Sequence, residues 1–189
     1  WITQGSFNAE TITYYVPFSE RFSSDGIKMI GAYGPRLFGI QHMNQIKHVI
    51  DILDEDTSRR RAVASIYLPQ FDQHKVSDEV PCTLNLQYLI RDKKVHAVTY
   101  MRSQNALRLL PYDVFLFTML QEYINAVLTT AHDLSLGSYN HYSGSFHIYE
   151  DELPVIEKVL EDASTYSYKM EPMPSKNIIL KLQKLNKFE

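Results

Sequence analysis

Two runs, residues 83–91 (Thr-Leu-Asn-Leu-Gln-Tyr-Leu-Ile-Arg) and 95–101 (Val-His-Ala-Val-Thr-Tyr-Met), flank the polar stretch Asp92-Lys93-Lys94. Each run is rich in apolar and β-branched or aromatic residues spaced two apart, which predicts a β-hairpin with Asp92-Lys93-Lys94 as its turn. A hairpin joins antiparallel neighbours, whereas parallel strands need a long crossover, so a regular doubly wound parallel fold is excluded. Residues 112–131 then supply the longest helix candidate, apolar over much of its circumference, as expected of a helix central to a core. The two features together predict an α+β fold with one large, mixed or mainly antiparallel sheet packed with helices.

The remaining chain is less explicit. Residues 1–40 read as loop-rich and aromatic. In residues 41–53, Met43, Ile46, Val49, Ile50 and Leu53 recur at helical spacing. Residues 62–68 read as a strand stopped by Pro69, residues 70–79 as a polar loop, and 137–149 as an aromatic strand region. Residues 151–160 read as a helix with an acidic first turn, while 176–185 fit either a strand or a short helix. At 189 residues with no internal repeat, one domain is expected, spanning 1–189. Trp1 is preceded by no initiator Met, so the chain reads as a segment lacking its N-terminal part.

Composition removes several function classes. A formal net charge of -3 gives no basis for non-specific nucleic-acid binding, so an anionic ligand must be held by local cations. No run approaches the ~20 apolar residues of a membrane span. Cys82 is the single cysteine and cannot form an internal disulfide, which fits a reducing, cytoplasmic setting. His42, His48, His74 and His96 lack metal-ligand spacing, and His141 and His147 stand without cysteine or acidic support, so no metal is expected.

The candidate chemical residues are few. Cys82 follows Pro81 and leads into the first hairpin strand. It is either a buried small hydrophobe or a nucleophile, and the latter needs nearby positive charge to form a thiolate. Arg59-Arg60-Arg61 opens an apolar strand, where at least one arginine is expected to turn inward and require an anionic partner. Arg102-Ser103 is a second cationic site, with forked donors suited to phosphate oxygens. Asp113, after Pro111-Tyr112, is either a first-turn helix carboxylate or an acceptor at the end of a pocket. His147 and Tyr149 share one strand face and could hold sugar hydroxyls.

In chain order these segments resemble the thymidylate synthase family, which includes the pyrimidine nucleotide hydroxymethylases. Gly31-Ala32-Tyr33-Gly34 is similar to its Tyr-Gly loop, and Arg60-Arg61 to its Arg-Arg pair. Pro81-Cys82 and Gln87-Tyr88 are similar to the Pro-Cys nucleophile motif and the Gln-Phe/Tyr after it. Arg102-Ser103 resembles its phosphate site, Pro111-Tyr112-Asp113 its Pro-Phe-Asn base-reading turn, and His147-Ile148-Tyr149 its His-x-Tyr sugar site. The resemblance implies a one-carbon transferase that uses 5,10-methylenetetrahydrofolate on a pyrimidine nucleoside monophosphate, with Cys82 adding to C6 of the base. It implies catalytic roles for Cys82, Tyr33 and Asp113. It also implies nucleotide contacts from Arg102, Ser103, Gln87, Asp113, His147 and Tyr149, and a sheet-face homodimer in which Arg60 and Arg61 reach the partner's phosphate. The cationic phosphate site would then also stabilise the thiolate.

Departures from the family pattern choose the subclass. Asp113 stands where thymidylate synthases carry Asn. A carboxylate accepts from the cytosine amino group and a protonated N3, and repels uracil O4. A cytidylate 5-hydroxymethylase is therefore expected, for dCMP or CMP, with a thymidylate synthase or uridylate hydroxymethylase as the same-fold rival. An inactive nucleotide-binding or scaffold homologue is the rival of another class. Trp1-Ile2-Thr3-Gln4-Gly5-Ser6-Phe7-Asn8 resembles the family's Trp-Phe-Leu-x-Gly-x-Thr-Asn stretch. In that register its folate-packing indoles fall near Glu20 and Ser23, neither aromatic, which should favour water capture over hydride transfer. Asn105 replaces the usual Asp, and Arg108-Leu109 a Leu-Gly pair. The family's general acid/base Glu lies three residues before the Trp1 position, its first phosphate-binding loop is missing, and its folate-capping tail is not recognisable after Ser175.

Overall fold

The computed structural model describes residues 2–39, 43–73, 79–162, 167–173, 178 and 184. Its centre is the hairpin, formed by β2 (Thr83–Arg91) and β3 (Lys94–Met101). Arg91 faces Lys94, so the turn has two residues rather than three. Asp92 and Lys93 both take left-handed φ values, 50° and 57°, the geometry whose twist matches that of the flanking strands. On one side β2 pairs antiparallel with β1 (Val63–Ser65), and on the other β3 pairs parallel with β5 (Ser135–Ser143), giving a mixed sheet ordered β1-β2-β3-β5. A short parallel ladder joins β4 (Gln104–Asn105) to β6 (Phe146–His147).

The helices bury one face of the sheet. Helix α3 (Gln45–Glu55) begins later than its apolar spacing suggests, because the Asn44 side chain accepts from Lys47 N–H and caps it there. Met43 is left outside the helix and exposed, while Ile46, Val49, Ile52 and Leu53 are buried. Helix α5 (Leu110–Leu128) has Pro111 in its first turn, where the missing N–H costs nothing. It lays Phe117, Leu120, Ile124 and Leu128 into the core, against Leu86, Tyr88, Val95 and Ala97 of the sheet. The Gln121 amide donates to Val95 O at 2.8 Å, tying α5 to β3. Helix α6 (Leu153–Glu161) follows a single 3-10 turn, Glu150–Glu152.

Several segments differ from expectation. Residues 1–40 contain α1 (Ala9–Tyr15), a 3-10 segment (Pro17–Phe22) and α2 (Tyr33–Phe38). The strand expected over 62–68 stops at Ser65: both Ile66 N–H and Tyr67 N–H turn onto Leu84 O, and Pro69 opens the helical turn α4 (Pro69–Asp72). The aromatic region 137–149 is two strands, interrupted where Gly144 N–H bonds Met101 O. Gly137 permits the β3–β5 contact, since a Cβ there would lie 2.7 Å from the His96 ring. Most of 176–185 lies outside the described residues.

No arginine of 59–61 is buried. Arg59, half-exposed, pairs with Asp56 at 3.1 Å, and Arg60 and Arg61 face solvent, because the core-facing positions of this run fall on Ala62, Ala64 and Ile66. The buried guanidinium is Arg36, 1% exposed, held by both Asp72 oxygens at 2.6 and 2.8 Å and by Ile66 O and Ile30 O. This ion pair fastens α2 to the β1–α4 corner.

Candidate active site

Cys82 stands just before β2, half-buried and packed against the core. Its neighbours come from three directions. From the end of β3, Arg102 N–H bonds Cys82 O, and its guanidinium donates from Nε to Pro81 O and from Nη2 to Val80 O, each at 3.0 Å. Arg102 is thereby pinned beside the cysteine while still exposed to solvent, so its other donors remain for a ligand. From α2 comes Tyr33, whose ring stacks on Phe117 at 5.9 Å. From the first turn of α5 comes Asp113.

The loop that carries Tyr33 is locked to the segment before Cys82. Glu79 accepts from Ser24 N–H and Ile30 N–H at 2.7 and 2.9 Å. Gly31 lies so close to that segment that a Cβ would sit 2.9 Å from Glu79 O, which is why this position takes glycine.

The electrostatics separate the roles. Burial pushes the Asp113 carboxyl up to about 6, against the hydrogen bond from Gln104 that lowers it. It is thus an ionised acceptor at neutral pH with little margin. Tyr33 is pushed well above the usual phenol range, first by burial and then by the Asp113 carboxylate, with hydrogen bonds from Thr83 acting the other way. It is a proton-bearing phenol, suited to donating rather than to acting as a base. The Cys82 thiol is raised by burial, lowered by Arg102 and raised again by Asp113. Arg102 thus favours the thiolate, as expected of the cationic site, but burial outweighs this guanidinium, which is shared with two carbonyls.

Ser103 follows Arg102, and His147 is laced beside it, because Gln104 N–H bonds Ser145 O and Ala106 N–H bonds His147 O. His147 and Tyr149 pack edge to face at 5.1 Å. Beneath them lies Glu152, 1% exposed, which accepts from Asn105 Nδ2 at 2.7 Å and Tyr149 N–H at 2.6 Å. Arg108 Nε stands 2.7 Å from Glu152 Oε1, as an ion pair without hydrogen-bond alignment. Asn105 thus spends its side chain on the fold, accepting from Leu107 N–H and Arg108 N–H as well. Glu20 and Ser23 carry no ring, but Phe18 and Phe22 beside them do, with Arg21 and Arg108 over the Phe18 face and Arg108 over Tyr149.

The structure does not bring every expected residue to this cluster. Gln87 lies along β2, where its amide donates to Arg60 O at 2.9 Å. Arg60 and Arg61 stand at the sheet margin beside it. A cleft of about 860 Å³ at the opposite, turn end of the hairpin is lined by Arg60, Arg91, Lys93 and His132 and is separate from Cys82. Conversely, Gln104 and, through it, His141 and Tyr139 adjoin Asp113, although the sequence reading gives none of the three a role. The spacing of Tyr139 and His141, two apart on a strand, is the signal that could have found them. Among the described residues no group of three or more His, Cys, Asp or Glu side chains could hold a metal ion, and no helix is long and apolar enough to cross a membrane.

Comparison with known proteins matches this arrangement to one family. Residues 1–189 fit the family model described as Thymidylate synthase. The deoxyuridylate hydroxymethyltransferase of Delftia phage PhiW-14 is 30% identical over 182 residues, covering 88% of this chain and 48% of that protein. A provisionally named thymidylate synthase of Methanocaldococcus jannaschii is 32% identical over 142 residues, covering 71% and 62%. Among solved structures, thermostable thymidylate synthase A from Bacillus subtilis superposes with a TM-score of 0.72 at 19% identity, covering 94% of this chain and 65% of that one. The chain spans about half the length of the phage relative it matches.

Proposed function

The chain belongs to the thymidylate synthase family, and from that premise we propose that it is a folate-dependent cytidylate 5-hydroxymethylase, acting on dCMP or CMP. The observation that carries the choice of base is Asp113, ionised at neutral pH and held by an N–H of Gln104 on one oxygen. An anionic acceptor matches the cytosine amino group and opposes uracil O4, where two acceptors would meet across a buried contact.

Cys82 is the nucleophile. Its sulfur bonds to C6 of the pyrimidine, and the electron pair displaced toward C5 makes that carbon a nucleophile. The raised thiol gives Arg102 a second role. Besides holding the 5′-phosphate with Ser103, it is, among the described residues, the cation that lowers the Cys82 thiol, so it favours the thiolate that must form. Tyr33, kept as a phenol, can orient a water or donate near C5. His147 and Tyr149 address the sugar 3′-hydroxyl. With the one-carbon unit on C5, loss of the C5 proton would release tetrahydrofolate and leave an exocyclic methylene; water would add to that carbon, and cleavage of the S–C6 bond would return the Cys82 thiolate and restore the C5–C6 double bond.

5,10-Methylenetetrahydrofolate supplies the carbon when bound. The residues present suit it: Phe22, 42% exposed, lies beside the Arg21 guanidinium, offering an aryl face to a ring system and donors to a carboxylate, whereas Arg108 is already paired with Asp151 and Glu152. The absence of large rings at Glu20 and Ser23 supports water capture rather than methyl formation.

A homodimer across the open sheet face is part of this reading, with the chain acting as one domain. It is supported by Tyr100 stacked on Tyr142 at 5.4 Å on that face, 38% and 56% exposed, and by solvent-facing Arg60 and Arg61, free to reach a partner's phosphate. A reducing cytoplasm, bacterial or phage-infected, suits a nucleophilic thiol.

Release of tritium from [5-³H]dCMP or [5-³H]CMP by the full-length protein with methylenetetrahydrofolate tests the proposal. Release from [5-³H]dUMP alone would favour a second reading, a uridylate hydroxymethylase, which the name of the Delftia phage relative supports. No release from any of them, with nucleotide still bound, would leave a binding protein.

A further inference from the structure

Asp113 does not stand alone at its end of the site. Gln104, 1% exposed, places Nε2 at 3.0 Å from Asp113 Oδ2 and Oε1 at 3.0 Å from His141 Nε2. His141 Nδ1 lies 2.7 Å from the Tyr139 hydroxyl. The β3–β5 register explains the alignment. Ala97 faces Tyr139 and Thr99 faces His141, so alternate residues of both strands point toward the first turn of α5.

We infer that Gln104 and His141 are positioning residues for base recognition: a hydrogen-bond relay of single polarity, from Tyr139 through His141 and Gln104, fixes an N–H on Asp113 Oδ2 and leaves Oδ1 as the one atom with which this carboxylate reads the nucleotide.

The polarity follows from what each group can do. With Asp113 ionised, the Gln104 amide must point its NH2 at Oδ2, since the flipped amide would set a carbonyl oxygen against the carboxylate. Gln104 Oε1 then accepts, so His141 must carry its proton on Nε2. Burial disfavours the imidazolium, which leaves Nδ1 as an acceptor. Tyr139, whose hydroxyl burial keeps protonated with a pKa of about 12, donates to it. Each of these contacts therefore runs in one sense. Among the described residues the other ionisable groups near Asp113 are Tyr33, Cys82 and Tyr139, with His141 behind Gln104 kept from the imidazolium by burial, so none is cationic. The Gln104 N–H is therefore the chief local support for the carboxylate, and its loss would favour a neutral acid. A neutral carboxyl offers one donor and one acceptor, the pattern of an amide, and discriminates poorly between cytosine and uracil.

For base choice this inference rests on the cytidylate reading, but its geometry can be tested apart from that reading. In full-length protein with ¹⁵N-labelled histidine, long-range ¹H–¹⁵N spectra at pH 7.5 should show His141 neutral and protonated on Nε2. An Nδ1–H tautomer or an imidazolium would overturn the relay. Tyr139→Phe, which removes no hydrogen bond to Asp113 itself, and Gln104→Leu should each raise the midpoint of the Asp113 carboxyl ¹³C titration. They should also reduce the dCMP-to-dUMP affinity ratio by about tenfold, the value of one buried hydrogen bond. An unmoved titration and an unmoved ratio in Tyr139→Phe would refute the inference even if Gln104→Leu fails to fold. If wild-type protein prefers dUMP while the tautomer and titration results hold, the base assignment fails and the relay stands.

Discussion

Replacing Asp113 by asparagine isolates the cost of keeping a buried carboxylate for recognition. The carboxyl sits at about 6 in the fold against an ordinary 3.8. Because its folded pKa is raised, the native state binds the proton more tightly, and stability falls as pH rises from about 3.8 through about 6. At about 1.4 kcal/mol per pKa unit, ionised Asp113 destabilises the fold by up to about 3 kcal/mol at pH 7.5 and by nothing below pH 3.8. An asparagine side chain is nearly isosteric, and its carbonyl can keep the Gln104 hydrogen bond. Urea unfolding of wild type and Asp113→Asn between pH 4 and 8 should therefore give curves that coincide near pH 4. They should diverge with rising pH until the variant is more stable by as much as about 3 kcal/mol. The same variant should lose its preference for cytidylate. A pH-independent difference, or a variant less stable than wild type at pH 7.5, would refute the placement of an ionised carboxylate here.

Three further outcomes are expected. Alkylation of Cys82 by iodoacetamide should show a midpoint above the ordinary 9.0, moved down by Asp113→Asn and up by Arg102→Gln; a wild-type midpoint below 9.0 would contradict the burial effect. Asp72→Ala strands the buried Arg36 guanidinium and should cost about 3–5 kcal/mol in urea unfolding, whereas a loss below about 1 kcal/mol would show that water reaches the pair. Replacing Asp92-Lys93 by Asn-Gly should stabilise the protein by about 0.5–1 kcal/mol, since both positions hold positive φ. Unchanged thermal unfolding would argue against that turn.

The parts legible in sequence are those governed by local pattern. The hairpin is readable nearly to the residue because alternation and turn chemistry agree over 83–101. The apolar α5 is readable to within a few residues at each end. The short α2, by contrast, spans six residues including Gly34 and Pro35, too few for any periodicity to show. Its anchor, the Arg36–Asp72 pair, joins residues 36 apart in sequence, and no local signal marks it. Sequence points instead to 59–61 for the inward arginine, because charge is visible there and burial is not. Cys82, Tyr33, Arg102 and Asp113 are marked by motifs and do converge. Gln104, His141 and Tyr139 become meaningful only once β5 pairs in parallel with β3, a tertiary choice that spacing alone does not dictate. The raised Cys82 thiol likewise depends on how deeply the loop is buried, which composition does not report.

Covalent trapping at Cys82 tests the central claim most directly. Full-length protein is incubated with methylenetetrahydrofolate and either 5-fluoro-dCMP or 5-fluoro-dUMP, then digested and analysed by mass spectrometry. Fluorine at C5 cannot leave as a proton does, so the nucleotide should remain attached. The account predicts a Cys82 peptide carrying nucleotide and one-carbon unit with the fluorocytidylate, and much less with the fluorouridylate. Adduct formation only with the fluorouridylate, or no adduct at Cys82 with either, would contradict it.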